Sequence, residues 1–163
     1  MTTTDTFISI PVRIDFDSVT PGYSRAMSAL DEAATAELDR VGFDARLREL
    51  IRLRASQLNG CAYCVDQHSK SAVAAGDTHQ RVHAVAVWQE SGFFTARERA
   101  ALAFTESVTL LADTHVPDEV VAEARAVFSD DEVGALLSAV VTINAWNAIA
   151  VTTRAWRPRR DRD

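Results

Sequence analysis

Apolar positions recur at helical spacing along most of this chain. Leu47, Leu50, Ile51 and Leu58 share one stripe between Asp44, a good N-cap, and Asn59-Gly60, a stop signal, which predicts a helix over about 44–58. Upstream, the alanine-rich stretch from Tyr23 to Leu38 follows a Thr-Pro-Gly turn signal and predicts another helix. Downstream, a helix starting at or just before Cys61 should end at Gly76, a natural left-handed stop, with Asp77 or Thr78 capping the next one. Thr95 and Glu98 read as a capping box that opens a helix to about Ala112, and Pro117 belongs at or beside a first helical turn. Ser129 and Glu132 form a second capping box ahead of an apolar helix that runs to about Arg154.

Alternation with period two is confined to Phe7, Ile8, Ile10, Val12, Ile14 and Phe16, which predicts an extended N-terminal arm. No Gly- or Pro-rich linker divides the chain, and no repeat of 20 to 50 residues is visible. The expected architecture is all-α: an arm over residues 1–22, one helical domain of about seven helices over 23–154, and an Arg-rich tail over 155–163.

Composition narrows the function classes. The 163 residues are 47% hydrophobic and 25% charged, enough chain to bury a core without a covalent staple. The net charge of −6 disfavours nucleic acid, and the one basic cluster, at 154–163, is interleaved with aspartates and reads as a solvated or partner-contacting tail. No apolar run approaches the ~18 residues of a membrane span. The first residues lack a basic segment followed by an apolar one, so a cytoplasmic location is the expectation.

In a reducing compartment, a lone cysteine pair points to metal binding or catalysis before it points to a permanent disulfide. Cys61 and Cys64 are the chain's two cysteines, and His68 lies one helical turn beyond Cys64. A helix beginning at Cys61 puts all three side chains within reach of one another. Its N-terminus favours thiolate over thiol, and a neighbouring imidazole can take the thiol proton, so Cys64 gains nucleophilicity. The spacing also lets the two sulfurs bond with little backbone movement, which suits a redox-cycling dithiol that resolves a sulfenic acid into a disulfide.

Other readings of these residues stay open. The cysteines can serve as small buried hydrophobes. His79 and His83 follow at a distance that satisfies the length rule for a two-cysteine, two-histidine zinc site, although the intervening residues read as helix rather than as the turns of a zinc finger. Trp146 and Trp156 read as core or subunit-contact residues.

The segment from Glu49 to Gly76, ELIRLRASQLNGCAYCVDQHSKSAVAAG, resembles the alkylhydroperoxidase D branch of the carboxymuconolactone decarboxylase-like superfamily. The shared pattern is a Glu twelve positions before a C-x-Y/H-C-x-x-x-H segment and then a helix ending in Gly, met here by Glu49, Cys61, Tyr63, Cys64, His68 and Gly76. Looser similarity covers roughly residues 40–151, and Ala148 stands where similar proteins often carry Arg.

The resemblance implies an all-helical fold assembled as a homo-oligomer, a trimer or hexamer. It implies a thiol peroxidase in which Cys64 attacks the hydroperoxide, Cys61 resolves the sulfenic acid, and His68 with Glu49 relays the proton. No bound cofactor is expected. An external thiol reductant protein would restore the pair, and in the alkylhydroperoxidase D system that donor is lipoylated. Tyr63 is a further candidate for the site, although its helical position faces away from the line joining Cys64 to His68. Decarboxylation is less favoured, since that branch generally lacks the cysteine pair. The alternatives are a disulfide oxidoreductase or redox relay without peroxide specificity, and a zinc-clipped or redox-sensing scaffold.

Overall fold

The computed structural model describes residues 8–158. Nine α-helices and a stretch of 3-10 turns, with no strand among the described residues, account for the secondary structure: α1 Phe16–Val19, α2 Pro21–Arg40, α3 Ala45–Leu58, α4 Ala62–Ala74, α5 His79–Ala84, the 3-10 segment Val85–Glu90, α6 Ala96–Thr109, α7 Leu111–Thr114, α8 Asp118–Arg125 and α9 Asp130–Thr153. Two of these, α1 and α7, are single turns of four residues, which leaves the seven longer helices that the pattern predicts.

Local chemistry explains most boundaries. Asp44 accepts the Leu47 amide at the start of α3, and Thr78 accepts the Arg81 amide at the start of α5. Both capping boxes are closed, Thr95 with Glu98 and Ser129 with Glu132. Where the sequence reading differs, the cause is visible. The Thr-Pro-Gly signal lies within the helix start, because Pro21 at the first position has the fixed φ a helix needs, so α2 begins two residues early and continues to Arg40. The helix after Thr95 breaks at Leu110, where ψ turns to 37°, and a separate turn follows. The arm is extended without pairing into a sheet. Phe16 ends it by entering α1, and Phe7 lies outside the described residues.

The core forms around α3, which packs against α4, α6 and α9. Leu47, Leu50, Ile51 and Leu53 of α3 are buried against Leu102 and Phe104 of α6 and against Leu136 and Val140 of α9, and Phe43 stacks on Phe128. Leu58 is only half-buried. A smaller cluster joins Ala55, both cysteines, Ile143 and Ala150, with Tyr63, Trp146 and Trp156 packed over it.

By length and composition α9 could cross a membrane, with a window of mean hydropathy 1.6, which corrects the reading that no run approaches that length. Polar residues interrupt the apolar ones and hide the stretch from simple inspection. They are bonded inside the bundle: Thr142 donates to the Ser138 carbonyl, and Asn144 donates to Thr109 Oγ1 and to the Val140 carbonyl. Just under half of the window, 44%, is buried against the protein.

Two polar ties set the ends of the structure. Asn59, at the end of α3, donates to Asn144 Oδ1 at 2.6 Å and to Asn147 Oδ1 at 3.0 Å, and the buried Asn147 donates to Ser56 Oγ at 3.1 Å. The arm crosses the far end of α9, where the amides of Arg13 and Ile14 both donate to the Thr153 carbonyl. The Arg13 guanidinium also reaches the carbonyls of Val151 and Thr152, satisfying helix-end acceptors.

Replacing Asn147 with Ala removes one of the two acceptors of Asn59 and the donor to Ser56, and opens a void. The expected loss is roughly 2–4 kcal/mol in the unfolding free energy measured by urea titration. A change within about 0.5 kcal/mol would show that the tie carries no stability.

Candidate functional site

The helix pair α3–α4 builds the site. Asn59 ends α3, Gly60 turns the chain at φ 68°, a conformation that favours glycine, and Cys61 becomes the N-cap of α4. The Cys61 sulfur takes the place of a capping hydroxyl and accepts the Cys64 amide at 3.2 Å. Cys61 therefore sits just outside the helix, whereas Cys64 lies in its first turn. The two are joined as a disulfide with their Cα atoms 5.3 Å apart.

The sulfurs differ in access. Both residues are almost fully buried, Cys61 at 2% and Cys64 at 4%, but Cys64 lines a cavity of about 390 Å³ and Cys61 does not. His68 lines the same cavity one turn along α4. Behind it, His68 Nδ1 lies 2.8 Å from Glu49 Oε2. The second Glu49 oxygen accepts from Arg52 Nη1 at 3.0 Å, and Arg52 also donates to Thr35 Oγ1 on α2. Glu49 is 14% exposed and His68 16%, so this is a largely desolvated pair.

Burial opposes the charge of Glu49, but hydrogen bonding and attraction from His68, and then from Arg52, outweigh it and hold the carboxyl below its ordinary value of 4.5. Glu49 is thus an acceptor at neutral pH. Nδ1 of His68 then donates to this carboxylate, and when the ring is neutral Nε2 is its proton acceptor. A chain from Glu49 through His68 to the cavity of Cys64 can take up and return one proton.

Tyr63, the further candidate for the site, lines the same cavity. Although its position is turned away from Cys64 and His68 along α4, its ring is long enough to join the cavity wall, 6.1 Å from the ring of Trp156. Trp146 and Trp156 also line the cavity, with ring centroids 5.3 Å apart, so they belong to the site as well as to the packing. Trp156 comes from the segment read as an Arg-rich tail, of which the last five residues, 159–163, lie outside the described residues. Asp17 of α1 holds the indole, accepting from Trp156 Nε1 at 3.0 Å, and Asp31 of α2 lines the polar side. Arg52 was legible as a partner three residues after Glu49; Asp17, Asp31 and Trp156 carry no local signal.

His79 and His83 remain apart from this site. They line a separate depression with Asp66, and among the described residues no three His, Cys, Asp or Glu side chains are arranged to hold a metal ion. Ala148 is exposed on α9 and does not line the cavity.

Comparison with known proteins places this geometry. The model of the carboxymuconolactone decarboxylase family matches residues 21–107. The uncharacterised protein YdfG of Bacillus subtilis (strain 168) is 38% identical over 104 residues, 64% of this chain and 71% of YdfG. Among solved structures, Agrobacterium tumefaciens ATU0492, a protein of unknown function with a provisional assignment as the antioxidant defence protein AhpD, superimposes with a TM-score of 0.86. It is 37% identical, and the match covers 92% of this chain and all of that one. An uncharacterised peroxidase-related protein from Ralstonia eutropha JMP134, with an alkylhydroperoxidase AhpD core, gives a TM-score of 0.76 at 25% identity over 88% of this chain and 74% of that one. With the family match spanning more than half of its residues and the AhpD-type bundle reproduced around the cysteine pair, the chain belongs to the carboxymuconolactone decarboxylase family as an AhpD-like member.

Proposed function

We propose that this protein is a thiol peroxidase that reduces hydroperoxides with the Cys61–Cys64 pair. The observation that supports it most directly is the shared cavity of Cys64 and His68, with His68 bonded to an ionised Glu49 behind it. In the reduced protein, Nε2 of His68 takes the Cys64 proton, and the thiolate attacks the terminal peroxide oxygen. The O–O bond breaks, the alkoxide leaves with the proton held on His68, and Cys64 becomes a sulfenic acid. Cys61 then attacks the Cys64 sulfur, forming the disulfide and releasing water. The peroxide gains two electrons and the dithiol loses them; an external dithiol protein returns the pair to the reduced state.

Access distinguishes the two sulfurs. Cys64 faces the cavity, so it meets the peroxide, and Cys61, sheltered at the helix cap, is suited to resolve the intermediate. Positive potential at the start of α4 falls on the Cys61 sulfur directly, which makes it a good thiolate to form when the disulfide is reduced again.

Cys64→Ser is expected to abolish peroxide turnover. Cys61→Ser should consume about one equivalent of peroxide and stall as a sulfenic acid, visible by intact mass as one added oxygen. Full turnover by Cys64→Ser would refute the assignment.

Glu49→Gln is expected to slow oxidation of Cys64 by about a hundredfold, measured as loss of free thiol in a single turnover. Its stability effect has a definite sign with pH. Because the folded-state Glu49 carboxyl lies below its ordinary 4.5, its contribution is complete above that value and is lost as pH falls through the lower folded-state value. The advantage of wild type over Glu49→Gln in urea midpoint should therefore shrink below about pH 4.5; an advantage that grew in acid would contradict the charge assignment.

A further inference from the structure

The cavity over Cys64 has two unlike walls. On one side the rings of Trp146 on α9 and Tyr63 on α4 stand 5.3 and 6.1 Å from that of Trp156, which follows α9. Phe16 of α1 meets Trp156 from behind, edge to face, with centroids 6.4 Å apart, while Asp17 fixes its indole N–H. The aromatic wall is thus held from both ends of the chain. Flat rings fixed in this way offer faces and edges to another ring at little cost in side-chain entropy.

The adjoining part of the lining is polar and negatively charged. Asp17 and Asp31 line it, and Asp17 is held by neutral donors, Trp156 and Ser24. The one arginine or lysine among the described lining residues, Arg52, already binds Glu49, which cancels its charge towards a ligand. A carboxylate entering this space meets two like charges with no arginine or lysine free to offset them.

We propose that the cavity selects uncharged hydroperoxides with an aromatic body, with Trp156 as the specificity-determining side chain and Asp31 as the group that excludes anionic substrates. The ring of the substrate packs on the Tyr63–Trp146–Trp156 wall and directs the peroxide oxygen to Cys64. A small alkyl hydroperoxide reaches the same sulfur without that contact. The inference rests on the peroxidase reading given above and uses the same electron balance.

The test is the second-order rate constant for thiol loss with three probes: cumene hydroperoxide, cumene hydroperoxide bearing a para-carboxylate, and tert-butyl hydroperoxide. Wild type should prefer cumene over tert-butyl hydroperoxide by about tenfold and disfavour the carboxylated probe by about the same factor. Trp156→Ala should bring the cumene to tert-butyl ratio close to one, and Trp156→Phe should restore most of it. Asp31→Asn should narrow the gap between neutral and carboxylated probes without changing the ratio between the two neutral ones. Each variant is read as a ratio within itself, so a general loss of activity does not imitate the result. Equal rate constants for all three probes in wild type, or ratios unmoved by the substitutions at Trp156 and Asp31, overturn the substrate class alone. No thiol loss with any probe overturns the peroxidase reading and the substrate class with it.

Discussion

The turn at Asn59–Gly60 is the constraint on which the site depends. Glu49 lies on the helix before it, and Cys61, Cys64 and His68 follow it, so the angle of this one turn decides whether carboxylate, imidazole and sulfur converge. Gly60 supplies the left-handed conformation, and Asn59 ties the turn to α9 through Asn144 and Asn147. The buried amides and Ser56 satisfy one another, which makes the tie stabilising where a single unpaired amide would be costly. A polar network between the end of α3 and the apolar helix α9 thus positions the cysteine pair, and neither Asn144 nor Asn147 lines the cavity.

From that turn the electrostatics follow in order of distance from the sulfur. Arg52 and His68 keep Glu49 ionised in a desolvated place. Glu49 in turn accepts from Nδ1 of His68, which leaves Nε2 as the acceptor when the ring is neutral. A carboxylate placed directly beside a thiol would hinder thiolate formation by like-charge repulsion; set behind the imidazole, it favours proton uptake instead. The Cys61 cap adds a second asymmetry, since helix dipole and cavity access fall on different sulfurs.

Much of this was legible in the sequence wherever the controlling interaction is local. The capping boxes at Thr95–Glu98 and Ser129–Glu132, the Asp44 cap and the Gly60 and Gly76 stops each depend on residues a few positions apart, and the helices begin and end beside them. The spacing of Glu49, Cys61, Cys64 and His68 within two consecutive helices has the same character. What escaped was set by contacts between distant parts of the chain. Trp156 follows an apolar helix and precedes a run of arginines, and nothing nearby reveals that Asp17, 139 positions away, holds it over Cys64. Asp31 looks like any solvated residue of an alanine-rich helix until α2 is laid across the cavity. Pro21-Gly22 was misread for a related reason: the same dipeptide signals a turn or a helix start, and only the continuation of α2 distinguishes them.

In the proposed function His68, supported by Glu49, makes Cys64 a thiolate. Its most direct test is the pH titration of thiolate absorbance in Cys61→Ser, where Cys64 is the only thiol, compared with the same protein carrying His68→Asn. Cys64 is expected to ionise well below the ~8.5 of a free thiol, and His68→Asn to move it back toward that value. A Cys64 thiol that titrates near 8.5 in both proteins would contradict it.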